Sequence, residues 1–216
     1  FDIRHGYTKL PQYIDRLVKN GFTIEQQASF SPMLMDYTRY GFFPPYHEKA
    51  QSGLIIKDCR DENVFDALYP SRAYQDSDLI PSEVTNTLLF IENRELWNPE
   101  PNHNPVIDWP RFVVASVTQI AEKVGVNMSK AGGSTLATQI EKFRHSEFGL
   151  TSSIEDKLLQ IGSAMVRVYQ QGENTLAARQ RIVQDYLNTV PLSSAPGFGE
   201  VHGIGDGLWA WFKTDF

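Results

Sequence analysis

Thr135, Gln139 and Lys142 recur at i, i+4 and i+7 directly after Gly132, Gly133 and Ser134, in the stretch AGGSTLATQIEKF. That spacing gathers a hydroxyl, a carboxamide and an ammonium on one helical face. The first-turn N–H groups of a helix lack backbone partners and carry the positive end of the peptide dipole. Glycines there let a ligand reach the backbone, so the segment reads as a seat for an anion, phosphate above all. Leu136, Ile140 and Phe143 form a separate stripe that can enter a core. A plain turn, an ordinary Ser134 cap and a solvated polar face fit the same residues. A P-loop does not, because no Gly-Lys-Ser/Thr closes the segment.

A second chemistry lies in LLFIENREL. Glu92 follows Leu88 by four residues and sits beside Ile91, at the margin of an apolar stripe. A partly desolvated carboxylate has its pKa raised, which suits a general base near neutral pH. The alternatives are a solvent-facing helix-end Glu or a pair with Arg94.

The elements that must position these groups are mostly helices. Leu10–Asn20 has a helical pattern, followed by an aromatic stretch in which Pro44-Pro45 forbids regular helix. Residues 53–60 and 63–69 read as a two-stranded ribbon around an Asp-Glu-Asn turn. From residue 80 the pattern is helical. Ser82 caps a helix with Val84, Leu88 and Ile91 on one face. Asp108 and Pro110 start another that runs to about Val124. Ser134 opens the next. Ser152 and Glu155 form a capping box ahead of the stripe Ile154, Leu158, Ile161, Met165 and Val168. A last helix covers about Leu176–Thr189, stopped by Pro191. The expectation is a mainly α domain with a small N-terminal β element.

Bulk properties narrow the functions. The net charge of −6 argues against a nucleic-acid binder. Residues 111–181 carry a local +3 against −9 for the remainder, which favours an anionic ligand there. Cys59 is the only cysteine, and the five histidines are scattered without metal-ligand spacing, so no metal site is expected. No apolar run is long enough to cross a bilayer. The chain begins at Phe1 without a signal-peptide pattern, so a fragment or processed product is expected, with any anchor upstream.

Taken together, the chain resembles the peptidoglycan glycosyltransferases (transglycosylases) of glycosyltransferase family 51, which also form one domain of bifunctional penicillin-binding proteins. The family's first motif is a Glu-led segment at a helix end, matched by IENREL with Glu92 on its glutamate. Its second, GGST followed by Gln and Lys, is matched by GGSTLATQIEK. In the third a basic pair precedes a glutamate, and DKLLQ at 156–160 aligns with it. The fourth ends in Tyr-Leu-Asn, as does RIVQDYLN at 181–188, and GEVHGIGDGLWAWF is similar to the family's closing stretch.

The resemblance implies a lysozyme-like helical glycosyltransferase domain at 53–216, with residues 1–52 as an N-terminal extension. It implies a lipid-linked disaccharide-peptide (lipid II) as substrate and undecaprenyl pyrophosphate as an inverted leaving group. Glu92 takes the part of the base. Gly133, Ser134, Thr135, Gln139, Lys142, Lys157 and Gln160 take the part of the pyrophosphate site. A membrane surface and cell-envelope proteins are the implied partners, at the periplasmic face of the bacterial inner membrane. Membrane contact through Phe112–Val117 is implied in the same way.

The sequence also departs from the family. Asn93 replaces an Asp, and Leu96 stands at an aromatic position. The motif's histidine is missing from its usual spacing, with His103 lying across the insertion NPEPN. Asp156 replaces Arg and Gln160 replaces the glutamate. A divalent cation (Mg or Mn) beside that glutamate would lose its charged ligand. These losses leave open a lapsed homologue that binds a lipid-linked glycan or scaffolds an envelope complex. They count against a muramidase-like hydrolase, which needs a second carboxylate.

Overall fold

The computed structural model describes residues 10–24, 31–45, 53–68, 72–109, 133–146 and 149–216. The helix expected from Asp108 to Val124 lies outside these residues beyond Asp108 and a helical Trp109, as do its Phe112–Val117 run and Gly132. Contacts divide the chain into two compact units, residues 1–36 and 37–216.

The first unit contains α1 (Leu10–Lys19), as its pattern predicts. Helix α2 (Pro32–Arg39) crosses the division and is an element that the sequence reading missed. Pro32 occupies the first helical position, where its missing N–H costs nothing. Strands β1 (Gly53–Lys57) and β2 (Asn63–Leu68) pair antiparallel, Gly53 opposite Leu68, with an irregularity at Ile56/Lys57. Asp58 closes the connection by accepting from the N–H groups of Arg60 (2.8 Å) and Glu62 (3.0 Å).

The remaining helices are α3 (Ser82–Glu92), α4 (Leu136–His145), α5 (Ile154–Tyr169), α6 (Leu176–Thr189) and the short α7 (Ile204–Gly207). The mainly helical architecture with a small β ribbon matches the expectation. The core is centred on α4, whose Leu136, Ala137 and Ile140 are buried against α5 and α6 with Val168, Ile182, Val183 and Leu187. Each fully buried Leu, Ile or Val contributes roughly 1.5–3 kcal/mol.

Several local expectations are corrected. Pro81, not Ser82, takes the N-cap of α3, and no side-chain bond closes it. Leu89 is the buried residue of that helix, while Ile91 is 64% exposed, because the inward face runs through Leu88, Leu89 and Glu92, one position later at its end. On α5 the capping box is Ser153/Asp156 rather than Ser152/Glu155. Its buried face is Gln160, Ser163, Ala164 and Val168, leaving Ile154 72% exposed and Leu158 outside as well. Gly162 meets Phe42 elsewhere on the helix, where a Cβ would lie 2.4 Å from the ring, so only glycine admits that contact.

Two further clips fix the end of the chain. The Asn188 carboxamide binds both sides of the Tyr74 backbone, accepting from N–H at 2.8 Å and donating to C=O at 2.9 Å. Gly203, at φ +82°, lies so close to the Asn188 carbonyl that a Cβ would collide with it.

Candidate active site

Helix α4 starts at an internal cap. Thr135 is the N-cap, not Ser134, and its hydroxyl accepts from Thr138 N–H at 3.4 Å while Thr138 Oγ1 accepts from Thr135 N–H at 3.0 Å. The Thr135 hydroxyl also donates to the Val106 carbonyl at 2.9 Å. With Thr135 only 3% exposed and Leu136 and Ala137 wholly buried, the first turn faces protein. The chain's own cap therefore occupies the Thr135 and Thr138 N–H groups, two of the amides at the end where the glycines suggested an anion seat.

One turn on, the helix faces chemistry. Gln139 Nε2 donates to Glu92 Oε2 at 3.2 Å, joining the second motif to the first across 47 residues. Glu92 ends α3, where the helix dipole disfavours a negative charge, and the Gln139 amide offsets this. Tyr186 of α6 donates its hydroxyl proton to Gln139 Oε1 at 3.4 Å. A donor on one side and an acceptor on the other fix which way the amide points. Burial, and then the nearby Glu92 carboxylate, push the Tyr186 phenol above its ordinary pKa. Tyr186 keeps its proton, as its donor role requires. Sequence reasoning missed this residue as part of the site, although the Tyr-Leu-Asn match was its signal.

Lys142 follows Gln139 by three residues. Lys157, on the first turn of α5, donates to Ser134 Oγ at 2.8 Å. Burial first, and the Lys142 charge second, push the Lys157 ammonium below the ordinary lysine range. The two lysines are thus electrostatically coupled, and either one would be relieved by an anion placed between them. Ser134 and Gly133 are partly exposed beside them.

Gln160 is 1% exposed and spent on structure: it donates to Ser146 Oγ (2.8 Å) and Thr151 Oγ1 (3.1 Å). It ties the end of α4 to the loop before α5. Asp156 folds back onto that loop, accepting from Ser152 Oγ (2.6 Å) and from the Ser152 and Ser153 amides. A divalent cation does not fit here, because the neutral Gln160 and the engaged Asp156 offer it no free carboxylate. Among the described residues no cluster of three His, Cys, Asp or Glu could hold a metal.

The fold and these side chains define a mainly helical domain with one glutamate and two lysines along a single polar wall. The chain belongs to the transglycosylase family, whose model matches residues 61–216. No curated protein sequence matches it. Family membership implies a peptidoglycan glycosyltransferase-like function and binding of a lipid-linked glycan. No described helix is long and apolar enough to cross a membrane.

Proposed function

We propose that this domain polymerises lipid-linked disaccharide-peptide, with inversion at the anomeric carbon and undecaprenyl pyrophosphate as leaving group. The observation that carries the reading is the Gln139–Glu92 hydrogen bond, which sets a carboxylate against the helix that bears Lys142. In the reaction the acceptor 4-hydroxyl attacks the donor's anomeric carbon. Glu92 takes the hydroxyl proton as the C–O bond forms. The bond to the diphosphate breaks, and its oxygens gather the charge.

Lys142 and Lys157 stabilise that charge, with Ser134 and Gly133 lining the approach. Fixed cations in a partly dehydrated site act most strongly where charge develops. Thr135 and Gln160 take a positioning part in this scheme: one caps α4 and the other anchors its far end. The work is done at a membrane surface on the periplasmic side of a bacterial inner membrane, with residues 1–52 as an extension.

The test is lipid II polymerisation by the full-length anchored protein. Glu92→Gln should lower the rate by about 10²–10⁴-fold, the usual weight of a general base. Chelation of divalent cations should leave the rate unchanged. Undiminished polymer from Glu92→Gln would remove Glu92 from the role. The replacement of the third-motif acid by Gln160 favours a second reading, a homologue that binds the lipid-linked glycan without turnover. Polymer from the purified wild-type protein would eliminate that reading.

A further inference from the structure

Residues 37–45 precede the stretch that matches the transglycosylase family, yet they belong to the same compact unit and pack on its helices. Gly41, at φ +84°, turns the chain at the end of α2 and lays it over Leu159 of α5. One turn along α5, Gly162 receives the Phe42 ring so closely that a Cβ would stand 2.4 Å from it. Tyr37 stacks on the same ring, with centroids 5.0 Å apart and planes 9° from parallel. Beside Gly162, the buried Ser163 Oγ accepts from the Phe43 N–H at 3.1 Å. Pro45 shares a cavity of about 110 Å³ with Arg167 and Asp185. The segment is thus a strap that follows α5 from Leu159 to Arg167, about 12 Å at 1.5 Å per residue.

Its inner side meets the charged pair behind the polar wall. The Tyr37 hydroxyl is buried, and Ser163, Glu141 and Arg167 all act on it. Burial foremost pushes the phenol above its ordinary pKa, so Tyr37 keeps its proton and adds no charge beside the pair. Arg167 Nε donates to Glu141 Oε1 at 2.7 Å, and Glu141 leaves α4 roughly opposite Gln139. An ion pair away from water holds one geometry only while its packed surroundings hold theirs. The strap is one side of those surroundings. Without it, water and empty space reach Arg167, and the pair loses its fixed direction.

The geometry points to residues 37–45 as a brace for the polar wall. Through Phe42 on Gly162, and Tyr37 against the Glu141–Arg167 pair, they hold α4 at the rotation that turns Gln139 toward Glu92. Tyr37 and Phe42 are positioning residues, acting through Glu141, Arg167 and α5. The brace stands on these contacts alone. That a loosened Gln139 costs catalysis rests on the function proposed above.

The test uses the full chain, labelled with nitrogen-15, and reads the Gln139 side-chain amide by NMR. Glu92→Ala marks where that amide resonates once its acceptor is gone. Phe42→Ala and Gly162→Ala break one contact from its two sides, and each should move the amide at least halfway to the marker. Tyr37→Ala should do the same, while Tyr37→Phe, which keeps the stack and loses only the hydroxyl, should move it less. Tyr40→Ala, on the strap but 77% exposed, should leave it in place. In lipid II polymerisation Phe42→Ala should lower kcat by about tenfold, the weight of one lost hydrogen bond, at an unchanged KM. A strap that only stabilised the fold would lower the melting temperature and leave the amide where it was. That result in Phe42→Ala and Tyr37→Ala overturns the proposal, and so does an equal shift from Tyr40→Ala. Should Gly162→Ala not fold, those two variants decide. A moved amide with no polymer from the wild-type protein would overturn only the catalytic reading.

Discussion

Arg167→Met should be the most damaging single change outside the apolar core, and it tests how the polar wall is held. Arg167 Nε donates to Glu141 Oε1 at 2.7 Å, and its Nη1 lies 3.6 Å from Asp185 Oδ2. Glu141 is 1% exposed and leaves α4 roughly opposite Gln139, so the pair fixes the rotation that turns Gln139 toward Glu92. Removing the arginine takes a charged partner from a buried carboxylate, a loss of up to about 3–5 kcal/mol. At about 2–4 °C per kcal/mol for a unit of this size, the melting temperature should fall by about 6–20 °C. The double variant Glu141→Leu/Arg167→Met removes both charges and should recover most of that loss, since well-packed apolar pairs often replace buried ion pairs at little cost. Urea unfolding of wild type, both singles and the double completes the cycle. A double variant as unstable as Arg167→Met, or a single loss below about 1 kcal/mol, would refute the reasoning.

Two predictions concern charge at the start of α5. Because burial and Lys142 depress the Lys157 pKa, inorganic diphosphate should bind while Lys157 is protonated and weaken as pH rises through that lowered value. Calorimetry should place this alkaline limb below the ordinary lysine value of 10.5; Lys142→Met should move it upward and Lys157→Met should abolish it. A limb unmoved by either variant would separate the lysines from the anion. Asp156→Arg, which restores the family's residue, should lower thermal stability at neutral pH by breaking the Ser152/Ser153 cap. Those hydrogen bonds hold the Asp156 pKa below the ordinary carboxylate value, so its contribution is present above the unfolded value and lost as pH falls through the folded one. Wild type and Asp156→Arg should therefore converge in acid, as a thermal melt series against pH will read.

The order of motifs, the helical class and the β ribbon were legible in the residues, because periodicity, caps and turn residues are local properties of the chain. So was the candidacy of Glu92, Gln139, Lys142 and Lys157. Which hydroxyls and amides were available could not be read in this way. Ser134 and Thr135 look equally able to cap α4, and only the Thr138 and Val106 partners decide for Thr135. Gln160 looks like a weakened acid until Ser146 and Thr151 are seen to claim it. Ile154 and Leu158 belong to an apolar stripe in sequence, yet the face with Ser163 and Ala164 is the one turned inward, since close approach favours small residues over large ones. Tyr186 and Arg179 reach partners 47 and more than 70 residues away. The sequence by itself determined which chemical groups the chain carries and in what local geometry. Tertiary structure alone decided which of those groups are spent on holding the fold and which remain for a ligand, because hydrogen-bond partners and burial are set by residues distant in the chain.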